Sequence, residues 1–459
     1  MRNCIFLSFF AIKSLLFQFL FVYLQVKKRC IMIEKIKIRN FLSFKNETVF
    51  SFEASKDSFA EGSQVVRINE DVRLLRFGVV YGYNASGKSN LLKAFEFLRS
   101  FWFDKHDSVD EPINIAPFKL DDESPRMPSG FELIFWVDGV RYKYQLELDR
   151  AQVYKETLFC YKTSRPTTLF DRHLDGEQSI IKFNTEVLGT DQEAEKAITL
   201  ACLNNTSVFV ARSTVNTSIP LIDAARNWMK NHIMRGISPA TSLVRFAQRR
   251  CADDELMSQY ILSFLREADF NITGISVEKD EKPLPPLLVD MVSHATTIPQ
   301  DMKNLFAEDR SVQGHRTVFE HTVDGGKTYR LMATDDNDGE ESRGTMRTFG
   351  LESALYTAIK DDSFLTIDEI ETSLHPKLLE MILFEYLRAE SKSQLIVTTH
   401  NDGLLDLVGD LLRKDSVWFT EKNGAGVTDL YKLTDFRGVN RLSSIREAYR
   451  NKRFGATMN

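Results

Sequence analysis

The chain has 459 residues, enough for two or three domains around a large buried core. Hydrophobic residues make up 43% and charged residues 27%, which excludes a wholly disordered, fibrous or polytopic membrane protein. The formal net charge of −5 gives no overall attraction to nucleic acid, so such binding would need a local basic patch.

Five cysteines are scattered through the chain, and none belongs to a CxxC pair. An odd, unpaired set is typical of a reducing compartment. We therefore expect a cytoplasmic protein without a disulfide framework or a zinc knuckle. The cysteines are Cys4, Cys30, Cys160, Cys202 and Cys251.

The N-terminal segment is unusually apolar. Residues 4–26, CIFLSFFAIKSLLFQFLFVYLQV, are long enough to cross a bilayer, and the basic KKR run behind them would keep the remainder in the cytoplasm. Met32, however, is followed at once by IEKIKIRNFLSF, a good first strand. We favour reading residues 1–31 as an upstream extension that the working protein lacks. A membrane anchor and a core helix are the alternatives, and membrane contact is expected only if the segment is retained.

From Ile33 the sequence predicts strands, because apolar and charged residues alternate through IEKIKIR. The apolar run LRFGVV leads into a glycine-containing loop and then a helix with apolar residues at helical spacing. Asp138-Gly139 between two alternating runs predicts a β-hairpin. We assign residues 32–190 to the first lobe of an α/β domain.

The second half of the chain begins with a helical pattern. Residues 191–310 are predicted to form a mostly helical insertion, or arm, with Leu200 in one of its buried stripes. Strand patterns resume near Thr317, and residues 311–459 are assigned to the second lobe of the same domain. The prediction is an α/β fold with a mixed sheet and an inserted helical arm.

The strongest motif is the loop from Gly82 to Ser89, which fits G-x-x-x-x-G-K-[ST] between a strand and a helix. The glycines let consecutive N–H groups turn toward phosphate oxygens, and the helix adds its positive end. Lys88 would reach the β- and γ-phosphates of ATP, and the Ser89 hydroxyl would bind Mg²⁺. The predicted nucleotide-binding residues are Gly82, Asn84, Ala85, Ser86, Gly87, Lys88, Ser89 and Asn90.

A buried strand, FLTI, ends in two acids, Asp368 and Glu369. An aspartate at this position can hold Mg²⁺ through water, as in the Walker B motif, and the following glutamate can accept a proton from the attacking water. A second apolar strand ends at His400, which could hydrogen-bond the γ-phosphate. The predicted catalytic residues are therefore Glu369 and His400, and the predicted metal ligands are Ser89 and Asp368.

A further anion site is predicted before the helix that starts near Met346. Ser342 and Gly344, in the sequence ESRGT, combine a hydroxyl with accessible N–H groups at a helix start. A simple N-cap serine is the structural alternative.

The order of these motifs resembles ABC-type ATPase heads, most of all the RecF-like and SMC-like branch. GYNASGKSNLLKA, DEIETSLHP, TTHN and the ending YRNKRFGA look like the bacterial stand-alone ATPases of abortive-infection and phage-exclusion systems, relatives of the ATPase part of OLD-family proteins. The resemblance covers about residues 32–459 and matches the arm only loosely.

The resemblance implies a P-loop ABC-type head in which Lys88 and Ser89 bind ATP and Mg²⁺, Asp368 supports the metal and Glu369 is the general base. His400 would be the switch residue. Ser342 and Gly344 would form the signature that completes the site of a partner subunit, so a homodimer or higher homo-oligomer is implied.

Two departures from the family pattern stand out. The signature lacks the paired glycines of transporter-type proteins. No Q-loop glutamine is evident either, and Pro117-Phe118-Lys119 is the best candidate for that region.

Four functions compete. The leading hypothesis is an ATPase that acts as the sensor or regulatory subunit of a phage-defence system and controls a separate effector, a nuclease or toxin, in trans. A DNA-repair ATPase that binds nucleic acid directly is the alternative. Its candidate contacts, which a solvated helix face would also explain, are Arg235, Arg245, Arg249 and Arg250.

A transporter subunit and a P-loop kinase are the remaining readings. The long insertion argues against the transporter, and a kinase would need neither His400 nor the signature. A nuclease domain like that of OLD proteins is not expected in this chain, since 59 residues follow His400.

Overall fold

The structure is a computed structural model that describes residues 31–176, 178–268, 270–283, 311–333 and 340–457. The N-terminal segment discussed above, residues 1–31, lies outside this part of the chain except for its last residue. No helix among the described residues is long and apolar enough to cross a membrane.

The central sheet has five strands in the order β14-β15-β5-β16-β17. These are β5 (Phe77–Tyr81), β14 (Phe364–Ile367), β15 (Gln394–Thr399), β16 (Val417–Lys422) and β17 (Thr428–Lys432). The first four pair in parallel, and β17 is antiparallel to β16. β5, β14 and β15 are buried along their whole length, which explains why they contain no charged residue. Their carboxyl ends share one edge of the sheet, so the loops that follow them meet there.

A second sheet is antiparallel and has seven strands in the order β10-β9-β8-β7-β6-β1-β2. They are β1 (Ile31–Arg39), β2 (Thr48–Ser51), β6 (Ser129–Val137), β7 (Val140–Leu148), β8 (Val153–Tyr161), β9 (Thr167–Asp175) and β10 (Gln178–Phe183). The predicted hairpin joins β6 to β7, where Asp138 and Gly139 adopt φ values of 51° and 83°. Positive φ at both turn residues is what a two-residue hairpin of this kind requires.

The helix after the P-loop, α2 (Lys88–Phe101), packs between these two sheets. Phe95 contacts Phe364 of the central sheet, with ring centroids 4.8 Å apart. Trp102, just beyond the helix, contacts Tyr144 of the second sheet at 4.9 Å. Shorter elements, α1 (Glu61–Gln64) and the pair β3 (Val65–Arg67) and β4 (Arg73–Leu75), lie before β5.

The helical segment packs on the head. Its helices are α3 (Thr185–Leu188), α4 (Gln192–Ala201), α5 (Val208–Thr214), α6 (Pro220–His232), α7 (Val244–Asp253) and α8 (Glu255–Glu267). Trp102 stacks on Phe209 of α5 at 3.8 Å, and Trp228 of α6 stacks on Phe135 of the second sheet at 4.0 Å. The expectation that Leu200 is buried is wrong, because it is 85% exposed while Ile198 is fully buried.

The insertion also contributes to a third sheet. β11 (Gly274–Pro283), β12 (Ser311–Thr322) and β13 (Thr328–Ala333) form an antiparallel sheet in that order. We expected strands to resume near Thr317, but β11 already starts at Gly274. This strand lies inside residues 191–310, the segment assigned to the helical insertion. The end of β11, VEKDEKP, is highly charged and finishes in a proline, so the strand was difficult to recognise in the sequence.

Three further helices complete the second lobe: α9 (Arg343–Lys360), α10 (Pro376–Arg388) and α11 (Ile445–Arg450). α7 and α8 pack on α9, and Val244, Ile261 and Phe349 share one buried cluster. The predicted α/β fold with a mixed sheet is confirmed.

Candidate nucleotide site

The P-loop connects β5 to α2 and packs tightly against β16 and β17. At Gly82 a Cβ would lie 2.6 Å from the backbone oxygen of Thr420, and at Gly87 it would lie 2.4 Å from the Thr428 hydroxyl. Gly87 also has a φ of 109°, a region that side chains rarely adopt. Both motif glycines are therefore required by the close approach of β16 and β17.

Hydrogen bonds fix the outer part of the loop to neighbouring elements. The Ser86 hydroxyl lies 2.7 Å from that of Thr420, and Thr428 donates to the Ser86 carbonyl at 2.8 Å. The Asn90 amide donates to the Ser43 hydroxyl, which lies 2.8 Å from the Thr428 hydroxyl and can donate to it. The predicted contacts of Ser86 and Asn90 with nucleotide thus compete with structural hydrogen bonds of their side chains.

The N-terminus of α2 opens at the loop. Among the described residues no side chain caps this helix, and Gly87 occupies the N-cap position. The N–H groups of Lys88 and Ser89 have no acceptor within the helix, as in the first turn of any helix. Free N–H groups and the positive end of the helix suit an anion at this point.

Lys88 has its three ammonium protons in use. Its Nζ lies 2.8 Å from the Gly82 carbonyl, 3.2 Å from the Tyr83 carbonyl and 3.3 Å from Nδ1 of His400. Burial lowers the pKa of Lys88, and the nearby carboxylates of the Asp368–Glu371 segment oppose that shift. A phosphate oxygen that binds Lys88 must therefore replace one of these three acceptors.

His400 links Lys88 to Glu369. Its Nε2 lies 3.2 Å from Oε1 of Glu369. Because an ammonium group can only donate, Nδ1 must accept, and the proton of a neutral ring must be on Nε2, which donates to Glu369. The backbone N–H of His400 donates to Glu371 at 2.5 Å. The lysine, the histidine and the glutamate thus form one continuous hydrogen-bonded chain.

The two Walker B acids are held by a buried threonine. The Thr398 hydroxyl donates to Oδ1 of Asp368 at 2.5 Å and accepts the N–H of Glu369 at 2.8 Å. Glu369 has a φ of 47°, which turns the chain immediately after β14. The N–H of Asp368 donates to the carbonyl of Ile237, at 2.7 Å, so the helical insertion touches the Walker B strand directly.

These groups border one cavity of about 1010 Å³ at the carboxyl edge of the central sheet. All eight predicted P-loop residues line it, as do Glu369 and His400. Asp368 is not part of the lining, although its charge acts on Lys88. Sequence reasoning missed several lining residues, which come from the P-loop itself, α2, the segment after β15, the end of β16 and the C-terminal part of the chain. They are Tyr83, Lys93, Asp402, Lys422, Tyr449, Arg450, Ala456 and Thr457.

The predicted signature lies elsewhere. Neither Ser342 nor Gly344 lines this cavity. Ser342 is the N-cap of α9, and its hydroxyl accepts the N–H of Thr345 at 3.0 Å. A Cβ at Gly344 would lie 3.2 Å from the carbonyl of Ser373, in the segment after the Walker B acids.

The best candidate for a Q-loop does not reach the cavity either. Phe118 is buried, and its N–H donates to the side chain of Asn40 at 3.1 Å. The lining of the cavity contains no glutamine.

The residues present fit ATP and Mg²⁺. Uncapped N–H groups and Lys88 suit the phosphates, while the Ser89 hydroxyl and the Asp368 carboxylate offer the oxygen ligands that Mg²⁺ prefers. The described residues contain no group of three or more histidine, cysteine or acidic side chains that could hold a metal alone.

Comparison with solved structures gives distant matches. The SMC head domain from Thermotoga maritima is 14% identical, with a TM-score of 0.41 over 87% of this chain and 98% of that one. An SmcHead bound to the C-winged helix domain of ScpA is 14% identical, with a TM-score of 0.42 over 91% and 99%. An Smc head domain with an extended coiled coil, bound to the C-terminal domain of ScpA derived from Pyrococcus furiosus, is 13% identical, with a TM-score of 0.37 over 92% and 99%.

No curated protein matches the chain significantly. The family model described as "AAA domain, putative AbiEii toxin, Type IV TA system" matches residues 77–196 and 276–406, which is more than half of the sequence. The two matched segments contain the P-loop, the predicted signature, the predicted Walker B acids and His400. The chain therefore belongs to this family of AAA domains.

Proposed function

We propose that the protein is an SMC/RecF-like ATPase that binds ATP with Mg²⁺ and hydrolyses it to ADP and phosphate. The observation that carries the proposal is the hydrogen-bonded chain from Lys88 through His400 to Glu369, in one cavity with the open end of α2. These hydrogen bonds join the segments that follow the three strands β5, β14 and β15. A phosphate-binding cation and a proton acceptor are thereby held in one site.

Each residue has a definite task in this proposal. The N–H groups at the start of α2 bind phosphate oxygens, and Lys88 exchanges one of its three acceptors for the β- or γ-phosphate. Glu369 accepts a proton from the attacking water. His400 keeps Glu369 oriented through Nε2 and is placed to respond when Lys88 moves. Ser89 and Asp368 would hold Mg²⁺, which would supply positive charge against the phosphates.

We further propose that the complete site needs a second copy of the chain. Ser342 and Gly344 lie outside the cavity that the P-loop borders. At the start of α9, Ser342 is exposed and can face the nucleotide of a neighbouring subunit. The functional unit is then a homodimer or a higher homo-oligomer with shared ATP sites.

The biological role we propose is that of a cytoplasmic sensor or regulatory subunit in anti-phage defence, which controls a separate effector, a nuclease or a toxin. The description of the family, which names a putative toxin and a toxin–antitoxin system, supports this context. The contact between Asp368 and Ile237 supports a route from the ATP site to the helical insertion. An effector that binds the insertion could respond to nucleotide through this contact.

Direct DNA binding is the second candidate, and one observation favours it. Arg245, Arg249 and Arg250 are all exposed on α7. Binding of duplex DNA that weakens steeply with salt and is lost in a triple Arg→Gln variant would support this function. Binding that is unchanged in that variant would exclude this surface.

The ATPase proposal is tested by Glu369→Gln, which keeps the side-chain size but removes the proton acceptor. We expect hydrolysis to slow by a factor of about 10² or more, while binding of ATP is retained. Phosphate release is measured beside ATP affinity, and Glu390→Gln serves as the matched control because Glu390 is exposed and does not line the cavity. Equal hydrolysis by the wild type and Glu369→Gln would contradict the proposal.

A further inference from the structure

The cavity has a wall that the nucleotide-binding motifs do not supply. Tyr449 and Arg450, at the end of α11, line it together with Ala456 and Thr457. The Tyr449 ring stacks on Phe419 of β16 at 5.6 Å, and its hydroxyl donates to the Ala456 carbonyl at 2.8 Å. The C-terminal segment is thus packed against the sheet that carries the P-loop, and it presents an arginine to the cavity.

Arg450 is held by an acid that belongs to the same site. Asp402 follows His400 by two residues and also lines the cavity. Arg450 donates to Asp402 through Nε, and through Nη2 at 3.2 Å. Arg450 is therefore attached to the segment that carries His400, the residue proposed to respond to the terminal phosphate.

A second arginine, Arg446, also binds Asp402, so Arg450 can leave without the carboxylate losing its only partner. Nε of Arg446 donates to Oδ1 of Asp402 at 3.1 Å, and its Nη1 donates to Asp406 at 2.7 Å. The bonds of Arg450 and Arg446 lower the pKa of Asp402, so the carboxylate remains charged at neutral pH. If Arg450 leaves, Asp402 keeps Arg446 as its partner. The Arg450 side chain is 57% exposed, against 31% for Arg446, so Arg450 is the more accessible of the two to a ligand in the cavity.

We propose that Arg450 is a phosphate-binding residue of the ATP site, one that exchanges Asp402 for the terminal phosphate of ATP bound in the same chain. The inference rests on the proposed ATPase function. The guanidinium of Arg450 can exchange a carboxylate partner for a phosphate partner without a change of geometry, because both groups accept the same forked pair of N–H hydrogen bonds. The exchange connects α11 to the nucleotide state, since ADP lacks the phosphate that competes with Asp402.

The test measures the affinities of ATP and ADP with Mg²⁺ for the wild type, Arg450→Gln and Arg450→Lys. We expect Arg450→Gln to weaken ATP binding about tenfold while ADP binding changes by less than about threefold. Arg450→Lys should recover part of the ATP affinity, since it restores the charge but not the fork. Arg453→Gln is the matched control, because Arg453 is exposed, lies three residues away and does not line the cavity.

A double-mutant cycle tests the exchange itself. Asp402→Asn should strengthen ATP binding several-fold because it releases Arg450, and it should have no such effect in the Arg450→Gln background. Equal strengthening in both backgrounds would show that Asp402 merely repels phosphate, and it would overturn the exchange. Unchanged ATP affinity in Arg450→Gln would overturn the assignment of Arg450.

Lys88→Ala separates this inference from the proposed function. If the wild type does not bind ATP, the ATPase proposal fails, and this inference fails with it. If the wild type binds ATP, Lys88→Ala abolishes binding and Arg450→Gln binds ATP and ADP as the wild type does, only the role of Arg450 is refuted.

Discussion

Two helix N-termini that sequence reasoning assigned to nucleotide binding differ in one respect. α2 begins at Gly87 without a side-chain cap and opens into a cavity of about 1010 Å³. α9 begins at Ser342, whose hydroxyl caps the helix by accepting the N–H of Thr345, and it borders no part of that cavity. In the function proposed above, the first binds phosphate within one chain, and the second faces the nucleotide of a neighbouring subunit.

The largest effect should come from removing the cation at the open helix. We expect Lys88→Ala to lower ATP affinity at least about 100-fold and to reduce hydrolysis to background, because it removes the positive charge that binds the phosphates. Titration with a fluorescent ATP analogue measures the loss. Lys377→Ala, at an exposed lysine of α10, is the control. ATP affinity in Lys88→Ala close to that of the wild type would place the nucleotide elsewhere.

At the capped helix the expected effect is on hydrolysis alone. Ser342→Arg adds bulk at the face proposed to meet a second subunit, so we expect hydrolysis to be blocked while ATP binding stays within about threefold. The substitution also removes an N-cap, which costs about 1 kcal/mol. Asp191→Arg, which removes the N-cap of α4, controls for that cost. Normal hydrolysis in Ser342→Arg would show that α9 takes no part.

A smaller effect on hydrolysis is expected from Thr398, a buried residue that does not line the cavity. Thr398→Val keeps the size of a fully buried side chain but deletes the hydroxyl that holds Asp368 and Glu369. We expect kcat to fall about tenfold with little change in ATP affinity, because the Asp368 carboxylate and the backbone N–H of Glu369 each lose one hydrogen bond. Thr398→Ser, which retains the hydroxyl, should remain close to the wild type. Equal rates in the valine and serine variants would remove Thr398 from the site.

Much of the fold and of the P-loop side of the site could be predicted from the sequence. β5, β14 and β15 read as short apolar runs because both faces of the central sheet are buried. Each run ends in residues that parallel strands must bring to one edge. Their order along the chain therefore predicted that Lys88, Glu369 and His400 would lie together.

The rest could not be predicted, because it depends on contacts between distant segments. The ending YRNKRFGA carries part of the family resemblance, but nothing in those residues indicates that α11 returns to the P-loop. Thr398 looks like an ordinary strand residue, and only its two hydrogen bonds reveal its task. Leu200 fits a buried helical stripe by spacing, but the face that α4 turns to the core is that of Ala194 and Ile198. Apolar residues at helical spacing predict an apolar stripe along a helix, but the elements that pack on the helix decide which of its faces is buried.

The shared site is tested most directly by mixing two inactive variants, Lys88→Ala and Ser342→Arg, and measuring ATP hydrolysis. A heterodimer of the two contains one site in which an intact P-loop faces an intact Ser342, and one site in which both are damaged. With random pairing, we predict recovery of about a quarter of the wild-type rate, since half of the dimers carry one working site of two. No recovery, although heterodimers are shown to form, would contradict the shared site.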